Sequence, residues 1–177
     1  MNFIRKHYIN RQLKGFIKNG RRKQVRTHAL KDANSICFFV RSDDANRIEE
    51  LIEYAVANKE KKILILCYLP HKKDINIADT PPFLHVVSQK NVNMSGRINE
   101  QGLKDIFSQY YDIFIDMDTK TDLMSLYLKT LPKADFRIGG IQSEYKYFDF
   151  ILCGDEQRTV KDYLYNLEVY TSKLKGN

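Results

Sequence analysis

The chain of 177 residues is predicted to fold as a three-layer α/β/α domain around a mostly parallel sheet of about six strands. Three observations predict it. The stretch from Tyr111 to Gly140 reads strand, helix, strand: Ile113, Phe114 and Ile115 end in acidic residues, Leu123, Met124, Tyr127, Leu128 and Leu131 fall at helical spacing, and Phe136, Ile138 and two glycines follow Pro132. Such a βαβ unit in one sheet is parallel and right-handed. Two further runs, Ser35 to Arg41 and Ile63 to Tyr68, are continuously apolar over strand length, as strands covered on both faces are. Between them, Ile48, Leu51, Ile52, Ala55 and Val56 repeat with helical period, which gives a second βα unit.

The elements follow in order. Residues 1–31 hold ten of the 29 Lys/Arg residues and none of the 22 acidic ones, so a basic arm precedes a slightly acidic body. Ile9, Leu13, Phe16 and Ile17 share one face of a helix in this arm, and Asn19-Gly20 is its stop. The body, residues 32–177, is a single domain. It opens with the strand from Ser35, after which Ser42, Asp43 and Asp44 start a helix that ends near Asn58. Pro70 to Pro82 is a loop, Phe83 to Ser88 a third strand, and Gln89 to Arg97 a polar connection. Asn99 is the expected N-cap of a helix whose buried side carries Leu103, Ile106, Phe107 and Tyr110. After Gly140 come a sixth strand, Phe148 to Cys153, and a last helix beginning at Asp155-Glu156 with Val160, Tyr163, Leu164, Leu167, Tyr170 and Leu174 on its apolar stripe. Such a domain is Rossmann-like or flavodoxin-like.

The longest apolar run, Ile63 to Leu69, is seven residues, against about twenty for a membrane span. A cytoplasmic protein without integral membrane association is expected. Cys37, Cys67 and Cys153 lie in apolar strand patterns without metal-ligand spacing, and read as buried free thiols of a reducing compartment.

The segments KADFRIGG and YFDFILCG and the closing DYLYNLEVYTSKL resemble an uncharacterised family of small bacterial cytosolic proteins, a domain of unknown function whose members also begin with a Lys/Arg-rich helix. That resemblance implies no activity. A weaker likeness links Val40-Arg41-Ser42-Asp43 and the stretch from Ile115-Asp116-Met117 to Arg137-Ile138-Gly139 to the N-terminal half of heptosyltransferase-type glycosyltransferases. The glycine expected before the first-strand aspartate is absent, and so is the second half that binds the nucleotide sugar. The likeness therefore implies kinship of fold.

In a parallel sheet of this kind, ligands bind beyond the carboxyl ends of the strands. The ligand candidates there are Arg41, Asp43, Asp116, Asp118, Gly139, Gly154 and Asp155, with His71, Lys72 and Lys73 on a further loop. Asp116 and Asp118, the catalytic candidates, stand two apart at a strand end and with Asp155 are able to hold a Mg²⁺ bridging substrate phosphates. The segment IFIDMDTKT is similar to the haloacid-dehalogenase-type phosphatase signature, but Lys120 stands where that signature has Thr or Val. Turn and N-cap roles are the commoner use of such aspartates. No cofactor is expected, since neither GxGxxG nor GxxxxGK[ST] occurs, and no resident metal is assigned.

The arm is the strongest functional lead. Arg5, Lys6, Arg11, Lys14, Lys18, Arg21, Arg22, Lys23 and Arg26 are expected to engage an anionic partner, RNA or a ribonucleoprotein first among them. Two alternatives stand beside it: a small Mg²⁺-dependent phosphoryl-handling enzyme, and a structural protein that forms a homodimer through the arm. The apolar face of the arm also suits a lipid interface, or docking on the body with the basic face merely solvated.

Overall fold

The computed structural model describes residues 3–20, 25–70, 80–140, 143, 145–153 and 159–174. Helix α1 (Phe3–Gly20) is followed by β1 (Ser35–Arg41), α2 (Ala45–Ala57), β2 (Lys62–Leu69), β3 (Leu84–Ser88), α3 (Gln101–Ser108), β4 (Tyr110–Asp116), α4 (Leu123–Lys129), β5 (Lys133–Gly139), β6 (Phe150–Ile151) and α5 (Val160–Leu174). Short 3-10 turns lie at Leu30–Asp32, Gln89–Asn91 and Tyr145–Tyr147. All strands pair in parallel, in the order β3-β2-β1-β4-β5-β6. That order, 3-2-1-4-5-6, is the Rossmann one and not the flavodoxin one.

Alternate side chains of each strand face opposite ways, so the sheet supports two cores. Cys37 and Phe39 of β1, Leu64 and Leu66 of β2 and Phe114 of β4 pack with α1, α3 and α4. Ile36, Phe38 and Val40, with Ile65, Ile113, Ile115 and Ile138, pack with α2 and α5. The aspartates at helix starts act locally as caps. Asp44 accepts from the backbone N–H of Arg47 at 3.3 Å. Asp122 accepts from Met124 and Ser125 N–H, both at 2.9 Å, while Ser125 Oγ accepts from the Asp122 N–H, the reciprocal pair that starts a helix sharply.

Helix α1 is part of the first core. Ile9 and Leu13 are buried in it, with Phe16 and Ile17 against its edge, and the helix contacts α4 and the turn at Tyr145–Tyr147. A loop from the middle of the chain holds it from outside. The Tyr8 ring lies on Gly96, whose φ of +72° and lack of a Cβ both suit glycine, since a Cβ there would overlap the ring. Tyr127 Oη donates to the Gly96 carbonyl oxygen. Beyond α1 the chain is tied to the opposite face of the sheet: Leu30 N–H donates to Thr171 Oγ1 at 3.2 Å and Lys31 N–H to Glu168 Oε2 at 2.6 Å. Lys61 Nζ donates to the carbonyls of Leu30, Lys31 and Ala33.

Four local expectations need correction. The N-cap of α3 is Glu100, without a side-chain cap bond; Asn99 instead donates from its amide to the Lys90 carbonyl at 2.9 Å, because the polar connection before it closes on itself through the Val92–Ile98 bridge. Strand β3 begins at Leu84 and not Phe83. Strand β6 is two residues long, since it borders only the end of β5. Cys153 therefore lies past the sheet and is exposed, unlike the buried Cys37 and Cys67. The expected helix start at Asp155-Glu156 lies outside the described residues.

Candidate functional site

Strand order reverses between β1 and β4, and there the carboxyl ends of neighbouring strands diverge to open a crevice. Arg41 ends β1 and Asp116 ends β4, with Phe39 and Asp116 in register. Met117 N–H continues the ladder to the Phe39 carbonyl at 2.8 Å, so Asp116 and Asp118 both turn inward and are buried.

A closed set of charges fills this place. Lys129 Nζ lies 3.0 Å from Asp116 Oδ2 and 3.0 Å from Asp118 Oδ2. Arg41 donates from Nε to Asp118 Oδ1 at 2.9 Å, from Nη1 to Asp122 Oδ2 at 3.1 Å, and from Nη2 to Asp118 Oδ2 at 3.3 Å and to the Lys120 carbonyl at 3.0 Å. The remaining lone pairs are met as well. Asp116 accepts from the Asp118 N–H at 3.1 Å and from Ser143 Oγ at 3.1 Å, and Asp118 accepts from the Lys120 N–H at 3.0 Å. Tyr68 carries the guanidinium of Arg41 over its ring at 5.2 Å and donates to Asp122 at 3.4 Å; burial pushes its phenol up to about 12.

The two strand-end carboxylates are driven apart. Burial raises Asp116 above the ordinary carboxylate range, with Lys129 opposing it. Burial also acts on Asp118, yet Lys129 and the hydrogen bond from Arg41 hold it below that range. A depressed carboxyl contributes stability that is present above its unfolded-state pKa and is lost as pH falls through the folded one. We therefore expect thermal stability to decline in acid below the ordinary carboxylate range. The Asp118→Asn variant should be less stable at neutral pH and show a flatter acid limb in melts run from neutral to acid. An acid limb as steep as that of the parent would place its origin elsewhere.

The other candidates at these loops divide. Gly139 ends β5 where a Cβ would press into Ser143 and Phe148, so its bareness lets Ser143 reach Asp116. Asp43 forms an exposed pair with Lys120 at 3.0 Å. Gly154, Asp155, His71, Lys72 and Lys73 lie outside the described residues, as do Arg21, Arg22 and Lys23 of the arm. Among the described residues no group of three or more His, Cys, Asp or Glu side chains is placed to hold a metal ion. Both oxygens of Asp118 and one of Asp116 already face cations, so a Mg²⁺ here must displace Lys129 and Arg41.

A family model described as a family of unknown function, DUF6913, matches residues 5–174. The chain belongs to this family. The match starts inside α1 and runs to the end of α5, so the DUF6913 unit includes the basic helix together with the α/β body. Neither the curated proteins nor the solved structures give a match.

The DUF6913 chain also contains two site residues that sequence reading overlooked or misplaced. Lys129 was not among the candidates; the structure buries every residue of α4 from Met124 to Lys129, and the sequence does carry a signal of it. The segment LMSLYLK is apolar or small all round, and a single charge in such a helix needs an internal partner. Arg137, a cation of β5, forms no ion pair with a carboxylate among the described residues. Instead its guanidinium lies over the Phe114 ring at 4.2 Å and donates to the carbonyls of Tyr147, Pro132 and Lys129.

Proposed function

We propose that this protein is a non-enzymatic binding module whose N-terminal helix presents a rigid cationic stripe to an anionic partner, RNA or a ribonucleoprotein. The observation that carries this is the segregation of charge around α1. At about 100° per residue, His7, Arg11, Lys14 and Lys18 fall within an arc of about 60°, opposite the side that buries Ile9, Leu13 and Phe16. Lys6, Arg11, Lys14 and Lys18 are exposed, and among the described residues no carboxylate forms an ion pair with them. From His7 to Lys18 the stripe is about 17 Å long. Docking fixes the helix, so the cations are arrayed before any partner arrives, and the ordering cost of binding falls.

The strand-end carboxylates support the same reading over a Mg²⁺ enzyme. Their oxygens are engaged by Lys129 and Arg41 in a network that leaves the crevice close to neutral. The buried free thiols Cys37 and Cys67 suit a cytoplasmic setting, and no helix among the described residues is long and apolar enough to cross a membrane. A bacterial origin accords with the family resemblance, and the strand order accords with fold kinship to the N-terminal half of heptosyltransferase-type enzymes.

The test is binding to total cellular RNA across a salt series, comparing the intact protein with the Arg11→Gln/Lys14→Gln/Lys18→Gln variant. All three positions are exposed and glutamine is a good helix former, so the fold is kept and circular dichroism checks it. The intact protein should bind with affinity falling steeply in salt. The variant's log-log salt slope should be shallower by about 2, at about 0.7 for each single-strand phosphate that is no longer neutralised. Equal slopes, or no binding by the intact protein, would sink the proposal.

A further inference from the structure

Among the described residues, Arg137 is a buried cation that the switch-point network does not use, and it borders a cavity of about 750 Å³ at the far end of α1. That volume lies within the range of small-molecule sites, about 300–1,000 Å³. The cavity is walled by Phe16, Tyr110 and Phe148, and Asn19, Lys133 and Lys146 stand around it.

A buried charge is ordinarily matched by an opposite one. Among the described residues no carboxylate lies within ion-pair distance of the Arg137 guanidinium. Its compensation comes from neutral groups: Nε donates to Tyr147 O at 3.3 Å, Nη1 to Pro132 O at 2.8 Å and Nη2 to Lys129 O, with aromatic faces of Phe114, Phe16 and Phe148 at 4.2, 5.2 and 5.9 Å. A guanidinium carries five N–H donors, so two remain without an acceptor among the described residues. Burial lowers its pKa to about 10, Asp149 and Asp116 acting against that. Asp149 is not its partner; that carboxylate accepts from the Arg137 backbone N–H at 2.8 Å. Among the described residues of its lining, Arg137, Lys133 and Lys146 stand against this one engaged carboxylate, a balance that favours an anion.

We propose that this cavity is a binding site for a small flat organic anion, its ring against Phe16, Tyr110 and Phe148 and its carboxylate or phosphate directed to Arg137, Lys133 and Lys146. The planar fork of an arginine suits either oxyanion, and an aromatic wall suits any flat ring. The site is distinct from the exposed stripe on α1 and does not depend on RNA binding, but it exists only because α1 is docked, since Phe16 and Asn19 come from that helix.

The experiment is an amide chemical-shift titration of the intact protein with four probes: AMP, 4-hydroxybenzoate, adenosine and ribose 5-phosphate. Saturable shifts at Asn19, Tyr110, Lys133 and Phe148 are expected with AMP, with 4-hydroxybenzoate or with both. A response to AMP alone assigns the phosphate class, and a response to 4-hydroxybenzoate alone the carboxylate class. Adenosine and ribose 5-phosphate should each bind at least about tenfold more weakly than AMP where AMP binds. Arg137→Gln breaks the hydrogen bonds to three carbonyls and threatens the fold, so the main variant is Lys133→Gln/Lys146→Gln, both exposed, which should weaken anion binding about fivefold. No saturable shift with either anion overturns the proposal, and so does adenosine binding as tightly as AMP with no effect of the double substitution.

Discussion

Replacing Lys129 by methionine is expected to lower the free energy of unfolding by about 3–5 kcal/mol, the cost of leaving buried carboxylates without their cation. The lysine side chain is 2% exposed and those of Asp116 and Asp118 are 1% and 0% exposed, so water does not replace the lost ammonium. Methionine keeps most of the stem, so little of the loss comes from packing, although the ammonium's contact with the Phe39 ring at 5.4 Å goes with it. Arg41 remains beside Asp118, whereas Asp116 keeps, among the described residues, only Ser143 Oγ and the Asp118 N–H. In the variant both carboxyls therefore protonate more readily, and the gap between variant and parent should narrow as pH falls. Urea unfolding followed by circular dichroism at neutral and acid pH measures both effects. A loss below about 1 kcal/mol would match an exposed pair and would contradict the buried network. Lys129→Met combined with Asp116→Asn should recover part of the loss, because residues that share one network are not additive.

The second large effect is expected on α1. Ile9→Ala should cost about 2–5 kcal/mol, the range for truncating a fully buried aliphatic side chain, since Ile9 has 0% exposure. Leu13→Ala should behave alike. Lys14→Gln, one position further on, should change stability by less than about 0.5 kcal/mol. Chemical denaturation of the three variants gives this contrast directly, and an Ile9→Ala loss as small as that of Lys14→Gln would show that the helix is not docked in solution. A chain lacking residues 1–31 is consequently a poor probe of the arm's binding role. It removes the cationic stripe and core side chains together, and it bares part of the face that α4 shares with α1.

The fold was legible because parallel strands and their helices write strong local patterns. The runs SICFFVR and KILILCYL have no polar alternation, and Asp44, Asn58 and Asp122 stand at the helix ends where caps are needed. The strand order was not legible, because pairing in register leaves no mark on a continuously apolar strand. The site was half legible. Asp116, Asp118 and Arg41 could be placed at strand ends by counting, and they do converge. That Lys129 reaches them from the last turn of α4 depends on how that helix lies across the sheet, which no spacing encodes. For α1, amphipathicity gave the docked face, but the body supplies its partner surface from residues far along the chain, and that packing settles which face stays wet.

The docking of α1 also sets an order of events during synthesis. Helix α1 is finished by Gly20, yet it rests on α4 and on the turn at Tyr145–Tyr147, more than a hundred residues later. At roughly 5–20 residues per second, the helix waits on the order of ten seconds for its seat to be made. Through that interval a growing chain carries an unseated helix with cations on one side and Ile9, Leu13 and Phe16 bare on the other. Such a segment is a ready client for a chaperone. Its seating late in translation makes a helix that is synthesised before the sheet among the last elements to be secured.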